Sequence, residues 1–321
     1  MSHALEMVLA PRKHPFVGMK IDDNSILDTI DGRYPCPQCY RSRKFFCYTC
    51  YVPVGELGTV LPKVTLPVKI DIIKHKKEID GKSTAIHAAV LASDSCRIFT
   101  YPDIPDYSKE EGVVLIFPGA ESVTVGQLFD KNVRLKTDDN FGLPYGWNMG
   151  TLLRKRVPEV LTDAESGSKE EDHQYTFDNL PVKRAVLIDS TWNQSRSIYK
   201  DKRVCSLKPV VLQNRCSQFW RHQKGSPRWY LATIEAAHQF MLEVHMNAWG
   251  LNKNYRGFEN LEICDDCFQI TSVIDHDVED MSPTGPYNGH YDNLLYFFSN
   301  MYDLIHKYYD HNELKSYKRP I

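Results

Sequence analysis

Positive charge is not in excess in this sequence: 39 Lys and Arg face 41 Asp and Glu, a net charge of −2. A uniformly basic coat is excluded, so any contact with nucleic acid has to come from local clusters of Lys and Arg. No apolar stretch is long enough to span a bilayer, and the first ten residues lack the basic start and apolar run of a signal peptide. These absences predict a protein that stays inside the cell and has no membrane partner. Thiols are kept reduced there, so the nine cysteines read as metal ligands or buried thiols before disulfides. Two signatures of common enzyme classes are missing as well. Gly81-Lys82-Ser83 ends like a phosphate-binding loop, but Lys76 stands where that loop requires its first glycine. His75 and Glu78 do not form a zinc-protease HExxH pair and read as structural or substrate-orienting.

What is present is an ordinary globular composition, 42% hydrophobic and 25% charged over 321 residues. Residues 1–33 show no sustained period and read as an irregular lead-in. Val68, Ile70 and Ile72 alternate with Lys69 and Asp71 as a half-buried strand does, and Ser83 to Ala92 suits a short helix. Val113 to Phe117 and Ala185 to Ile188 are continuous apolar runs, the pattern of strands buried on both faces, closed by Pro118-Gly119 and by Asp189. A further short strand fits Pro209 to Leu212, and a helical stripe runs from Thr233 to Ala248. Strands alternating with helices predict an α/β fold with a mainly parallel sheet over residues 60–250. Residues 159–178, rich in Glu, Asp, Ser and Gly, read as an acidic insertion loop. Residues 251–321 form a C-terminal extension with a helix near 291–309.

Cys36-Pro-Gln-Cys39 and Cys47-Tyr-Thr-Cys50 are two CxxC knuckles seven residues apart. Each can turn two thiolates toward one point, which predicts a structural zinc ribbon over residues 34–55 with Cys36, Cys39, Cys47 and Cys50 as its ligands. A redox dithiol would open a helix after a strand, and no strand precedes these cysteines. Four Cys ligands close the site, so the metal would hold structure and activate no water. Arg33, Arg41, Arg43 and Lys44 lie among Tyr34, Tyr40, Phe45 and Phe46. They read either as phosphate contacts with stacking surfaces or as a solvated face. Cys264-Asp-Asp-Cys267 has no second pair nearby and reads as buried thiols.

Asp189-Ser190-Thr191-Trp192 carries the chemistry. A strand ending in Asp189 puts a carboxylate at the carboxyl edge of the sheet, where open α/β proteins gather ligands. Ser190 and Thr191 can donate hydrogen bonds there and Trp192 offers a stacking face. From the residues alone a plain helix cap by Asp189 or Ser190 is an equal reading. This segment after an apolar strand resembles the DxTW signature of the DTW-domain family. The double CxxC, His75-Lys-Lys-Glu78 with Lys82-Ser-Thr84, Ile116-Phe-Pro-Gly119 and Ser226 to Ala237 resemble that family's other segments in the same order, over roughly Cys36 to Ala248. Ser190, where many members carry Gly, and Phe219-Trp-Arg-His222, where many carry Tyr-Arg-Leu-Arg, are departures.

The resemblance implies a tRNA-uridine aminocarboxypropyltransferase that uses S-adenosylmethionine on a tRNA, with a knotted, SPOUT-like sheet. It implies Asp189, Thr191 and Trp192 as catalytic residues. Pro118, Gly119, Ser190, Leu231, Ala232, Thr233 and Glu235 would line the cofactor. Arg196, Arg221 and Arg228 join the ribbon's basic residues as RNA contacts, and no obligate protein partner is expected. The animal members favour a D-loop uridine, position 20. Two other readings stay open, an RNA methyltransferase using the same co-substrate and a non-catalytic zinc-ribbon RNA-binding protein. Lys74-His-Lys-Lys77 and Arg154-Lys-Arg156 lean toward the nucleus, with the cytoplasm as the alternative.

Overall fold

The computed structural model describes residues 13–119, 121–129, 175–213, 215–223, 226–262, 273–274 and 281–319. Six strands form one sheet: β1 (Lys69–Lys74), β2 (Cys96–Thr100), β3 (Val113–Ile116), β4 (Val123–Thr124), β5 (Arg184–Asp189) and β6 (Lys208–Val211). Their order is β2-β1-β5-β3-β6-β4, and every neighbouring pair is parallel. The apolar runs at β3 and β5 are central strands, as their continuous hydrophobicity predicts. The parallel α/β expectation therefore holds. The knotted crossing implied by the resemblance depends on how the chain is threaded, and residues 130–174, between β4 and β5, lie outside the described residues. The acidic loop at 159–178 falls there too, apart from its last four residues.

Alternation within the strands sorts side chains onto two faces. Ile70 and Ile72 with Ala185 and Leu187 enter the main core, while Ile73 and Val186 join a smaller cluster on the other side. Helix α1 (Ala85–Leu91) and the long helix α3 (Thr233–Trp249) share the main core with the first face; α2 (Trp192–Tyr199) follows β5 directly and places Ile198 in the smaller cluster. Gly250, at φ +79, ends α3 in a conformation that a side chain disfavours. Beneath the smaller cluster the buried Asp71 carboxylate is forked by Arg97 at 2.8 and 2.9 Å and bonded by Arg184 at 3.1 Å. That supplies the partners a charge on a buried strand needs.

The described residues toward either end of the chain join the main core. The C-terminal helix α4 (Tyr296–Tyr308) sends Phe297, Phe298 and Tyr302 into the main core, together with Phe16 and Leu27 from the lead-in. Asp292, just before α4, is fully buried. It accepts hydrogen bonds from the Lys20 N–H at 2.7 Å, Tyr287 at 2.7 Å and Tyr255 at 2.9 Å, and faces His238 of α3 at 2.9 Å. Residues 13–33 hold one helical turn, Ile26–Thr29, and are fixed by contacts with residues some 270 positions later. Among the described residues no helix is long and apolar enough to cross a membrane.

Candidate active site at the carboxyl edge of the sheet

Asp189 is the last residue of β5 and is 6% exposed. One carboxylate oxygen accepts from the Ser83 hydroxyl at 2.7 Å and the other from the Thr233 hydroxyl at 2.6 Å. Ser83 precedes α1 and Thr233 is the first residue of α3, so a single carboxylate joins the sheet edge to the starts of two helices. Burial pushes the Asp189 carboxyl above its ordinary value, against the lowering influence of the two hydroxyls and Lys74. Thr191, and neither Asp189 nor Ser190, caps α2: it forms a capping box with Gln194, whose side-chain oxygen accepts the Thr191 N–H at 3.1 Å. The helix-cap reading of Asp189 falls, because Thr191 holds the cap position while the Asp189 oxygens accept from hydroxyls of two distant segments. Trp192 begins α2, and its ring lies outside the described side chains.

The carboxyl edge gathers several of the expected residues. Pro118 and Gly119 follow β3, the strand beside β5, and the Gly119 N–H donates to Ser122 at 2.6 Å to close that turn. Leu231 and Ala232 lead into Thr233. Glu235 is different: its carboxylate is 1% exposed and accepts from the Ser217 hydroxyl at 2.6 Å, the Gln218 N–H at 2.7 Å and the Ala232 N–H at 2.8 Å. These bonds hold the 217–218 loop against the start of α3, and the residue has no open face toward a ligand.

The four ribbon cysteines come together as expected. Their sulfur atoms all lie within 4.8 Å of one another, and a tetrahedral zinc with bonds of about 2.3 Å sets sulfurs about 3.8 Å apart. Burial raises the Cys47 thiol, but hydrogen bonds from the Thr49 and Cys50 backbone and from neighbouring sulfurs outweigh it and bring the group down to about 6. Cys50 moves the other way, up to about 12, through burial and its contacts with the other three sulfurs. Arg33, Arg41 and Lys44 around the cluster are exposed, as is Arg196 on α2, while Arg221 is half-buried. Two expected phosphate contacts are not on the surface. Arg43 is buried with its guanidinium 3.7 Å from the Tyr48 ring centre, and Arg228, 3% exposed, pairs with Glu262 at 2.7 Å. Cys264 and Cys267 lie outside the described residues.

Sequence reasoning missed Lys74 and Asp80. Lys74 ends β1, directly opposite Asp189 in register, and is 9% exposed. Its ammonium forms an ion pair with Asp80, on the short turn Asp80–Lys82. A signal was available: Lys74 stands on the same alternation as Ile70 and Ile72, a cation at a core-facing position.

Comparison with known proteins decides the family. The DTW domain model matches residues 44–306, most of the chain. The chain belongs to the DTW-domain family. The match extends past Ala248, where the motif likeness stops, because the DTW domain here includes the C-terminal elements that complete the core. Curated relatives named tRNA-uridine aminocarboxypropyltransferase 1 include the mouse protein, 40% identical over 85% of this chain and 77% of its own. The Xenopus tropicalis protein is 36% identical over 89% and 85%, and the human protein 39% identical over 85% and 77%. No solved structure matches.

Proposed function

We propose that this DTW-domain protein transfers the 3-amino-3-carboxypropyl group of S-adenosylmethionine to N3 of a tRNA uridine. The observation that carries the reading is the likeness to transferases of that name at 36–40% identity along 85–89% of the chain. The edge built by Lys74, Asp80, Asp189, Ser83 and Thr233 accords with it, since a cation among carboxylates and hydroxyls suits the zwitterionic amino-acid group of that donor.

In this reaction uracil N3 forms a bond to the γ carbon of the donor's amino-acid chain, the carbon–sulfur bond breaks, and its electron pair leaves with methylthioadenosine. The sulfonium already carries positive charge, so the leaving group needs no acid. The protein's share is in-line placement and a base for the N3 proton. Asp189 is the proposed base: a carboxyl raised by burial holds a proton more tightly than an exposed one. Its Ser83 and Thr233 bonds fix its direction. Pro118, Gly119, Leu231 and Ala232 would contact the donor through backbone groups. Zinc on Cys36, Cys39, Cys47 and Cys50 would shape the ribbon, with exposed Arg33, Arg41 and Lys44 available to phosphates. A D-loop uridine, position 20, and a nuclear location belong to the same proposal.

The test is an unmodified tRNA transcript incubated with S-adenosylmethionine and the protein. The expected nucleoside carries the mass of an aminocarboxypropyl group and maps to the D-loop. A methyl mass would instead make the protein a methyltransferase, and an unchanged transcript would favour a binding role.

A further inference from the structure

The reaction described above assigns no step to Lys74 or to its partner Asp80. The core-facing row of β1 runs Ile70, Ile72, Lys74, and that of β5 runs Ala185, Leu187, Asp189, so two apolar rows end side by side in a cation and an anion. They do not pair with each other. Asp189 is satisfied by the Ser83 and Thr233 hydroxyls, while Lys74 reaches Asp80. Among the described residues Asp80 is the single hydrogen-bond partner of the ammonium, which leaves two of its three N–H donors unspent. With the Lys74 side chain only 11% exposed, its ammonium is largely withdrawn from water, and an entering anion can take the remaining donors. Asp80 itself is loosely held, with a side chain 36% exposed on a three-residue turn.

We propose that Lys74 is the recognition residue for the α-carboxylate of the donor's amino-acid end, and that Asp80 occupies its ammonium until the donor binds. The assignment rests on the reading of the donor as S-adenosylmethionine. A carboxylate entering beside Asp189 meets the two free N–H groups of Lys74. The end of the molecule that is to be transferred is thereby anchored at the same sheet edge as Asp189, which an enzyme moving the amino-acid chain requires.

Calorimetry on the intact chain separates this from a structural role. The probes are S-adenosylmethionine and methylthioadenosine, which share the nucleoside and differ by the amino-acid end. Lys74→Gln is expected to weaken S-adenosylmethionine binding on the order of 10- to 100-fold, the range for loss of a charged hydrogen-bonded contact, and methylthioadenosine by no more than about 2-fold. Asp80→Asn removes the competitor and is expected to tighten S-adenosylmethionine several-fold with methylthioadenosine unchanged. Opposite signs are the signature, because a purely structural ion pair loses strength from either side. Equal loss of both probes in Lys74→Gln, or weaker S-adenosylmethionine binding in Asp80→Asn, overturns the assignment. Should Lys74→Gln fail to fold, the more exposed Asp80→Asn decides alone. A wild-type protein that binds methylthioadenosine but not S-adenosylmethionine, or neither, sinks the donor reading itself, whereas wild-type binding with unchanged selectivity in both variants sinks only the role of Lys74.

Discussion

Asp189 ties distant segments together, and the base role proposed for it is a second duty whose loss can be told apart from the first. Its oxygens hold hydroxyls from residues 106 positions earlier and 44 positions later, so its removal acts on stability whatever it does to the proposed chemistry. Asp189→Ala leaves two partly buried hydroxyls without their acceptor, at a cost of about 2 kcal/mol by the usual penalty for stranded polar groups. Asp189→Asn keeps the size and one acceptor oxygen but cannot take a proton from N3. It is expected to retain most of the melting temperature while turnover on a tRNA transcript falls by about 100-fold or more. Near-normal turnover in Asp189→Asn would reduce the residue to a strut. The position of this carboxylate was legible in the sequence, from an apolar run that ends in an acid. Its partners were not: Ser83 and Thr233 meet it only because β1 and β5 are neighbours and α3 returns to the same edge. Lys74 was passed over because it opens a basic run, Lys74 to Lys77, whose other lysines are exposed. The parity of its strand, more than the charge of its neighbours, decides where it points.

At the scale of elements, strands and helices with strong internal pattern were readable and those defined by a neighbour were not. The runs at β3 and β5 and the stripe of α3 carry their own hydrophobic signal. Cys96-Arg-Ile-Phe-Thr100 does not, and it becomes strand β2 at the sheet edge by pairing along β1. The lead-in carries even less: Leu27, 1% exposed, joins the main core beside Asn24, whose amide donates to Tyr296 and Ser299 of the C-terminal helix. The ribbon is the opposite case, an element set by two local knuckles. It leans on the rest of the molecule through Phe46, whose ring meets His87 of α1 at 5.7 Å and Phe297 of α4 at 4.8 Å. Loss of the metal should therefore be felt at the ribbon first and at that seam second. Purified protein is expected to hold one zinc per chain by elemental analysis, and Cys36→Ser to lose it. In hydrogen exchange the variant should lose protection over Tyr34–Pro53 and at α1 while β3 and β5 keep theirs. A folded wild-type chain without zinc, or a variant whose ribbon stays protected, would contradict the structural role.

For the molecule as a whole, burial of neutral imidazoles sets how stability varies with pH. His87 sits between the ribbon, α1 and α4 with its Nδ1 unpartnered, and burial lowers it to about 3. His245 of α3 also falls to about 3, through burial and then the charge of His290, with the Gly285 carbonyl acting the other way. An unfolded histidine titrates near 6.5, so as pH drops below that value the unfolded chain takes up protons that the folded chain refuses. The stability these groups contribute is complete above pH 6.5 and is lost progressively as pH falls toward 3. Each contributes a slope of about 1.4 kcal/mol per pH unit in that window. Glu243, raised to about 7 by burial, opposes them, because below pH 7 the folded chain holds a proton that the unfolded one does not bind until about 4.5. Urea unfolding at pH 7, 6 and 5 separates the contributions. His87→Leu keeps an apolar filling against Phe46 and Phe297 and should reduce the loss of stability below pH 6.5 by about 1.4 kcal/mol per unit relative to wild type, whereas Glu243→Gln should steepen it. Parallel curves for wild type and His87→Leu would mean that His87 is protonated in the folded chain, and that the seam joining ribbon, sheet and C-terminal helix is open to water.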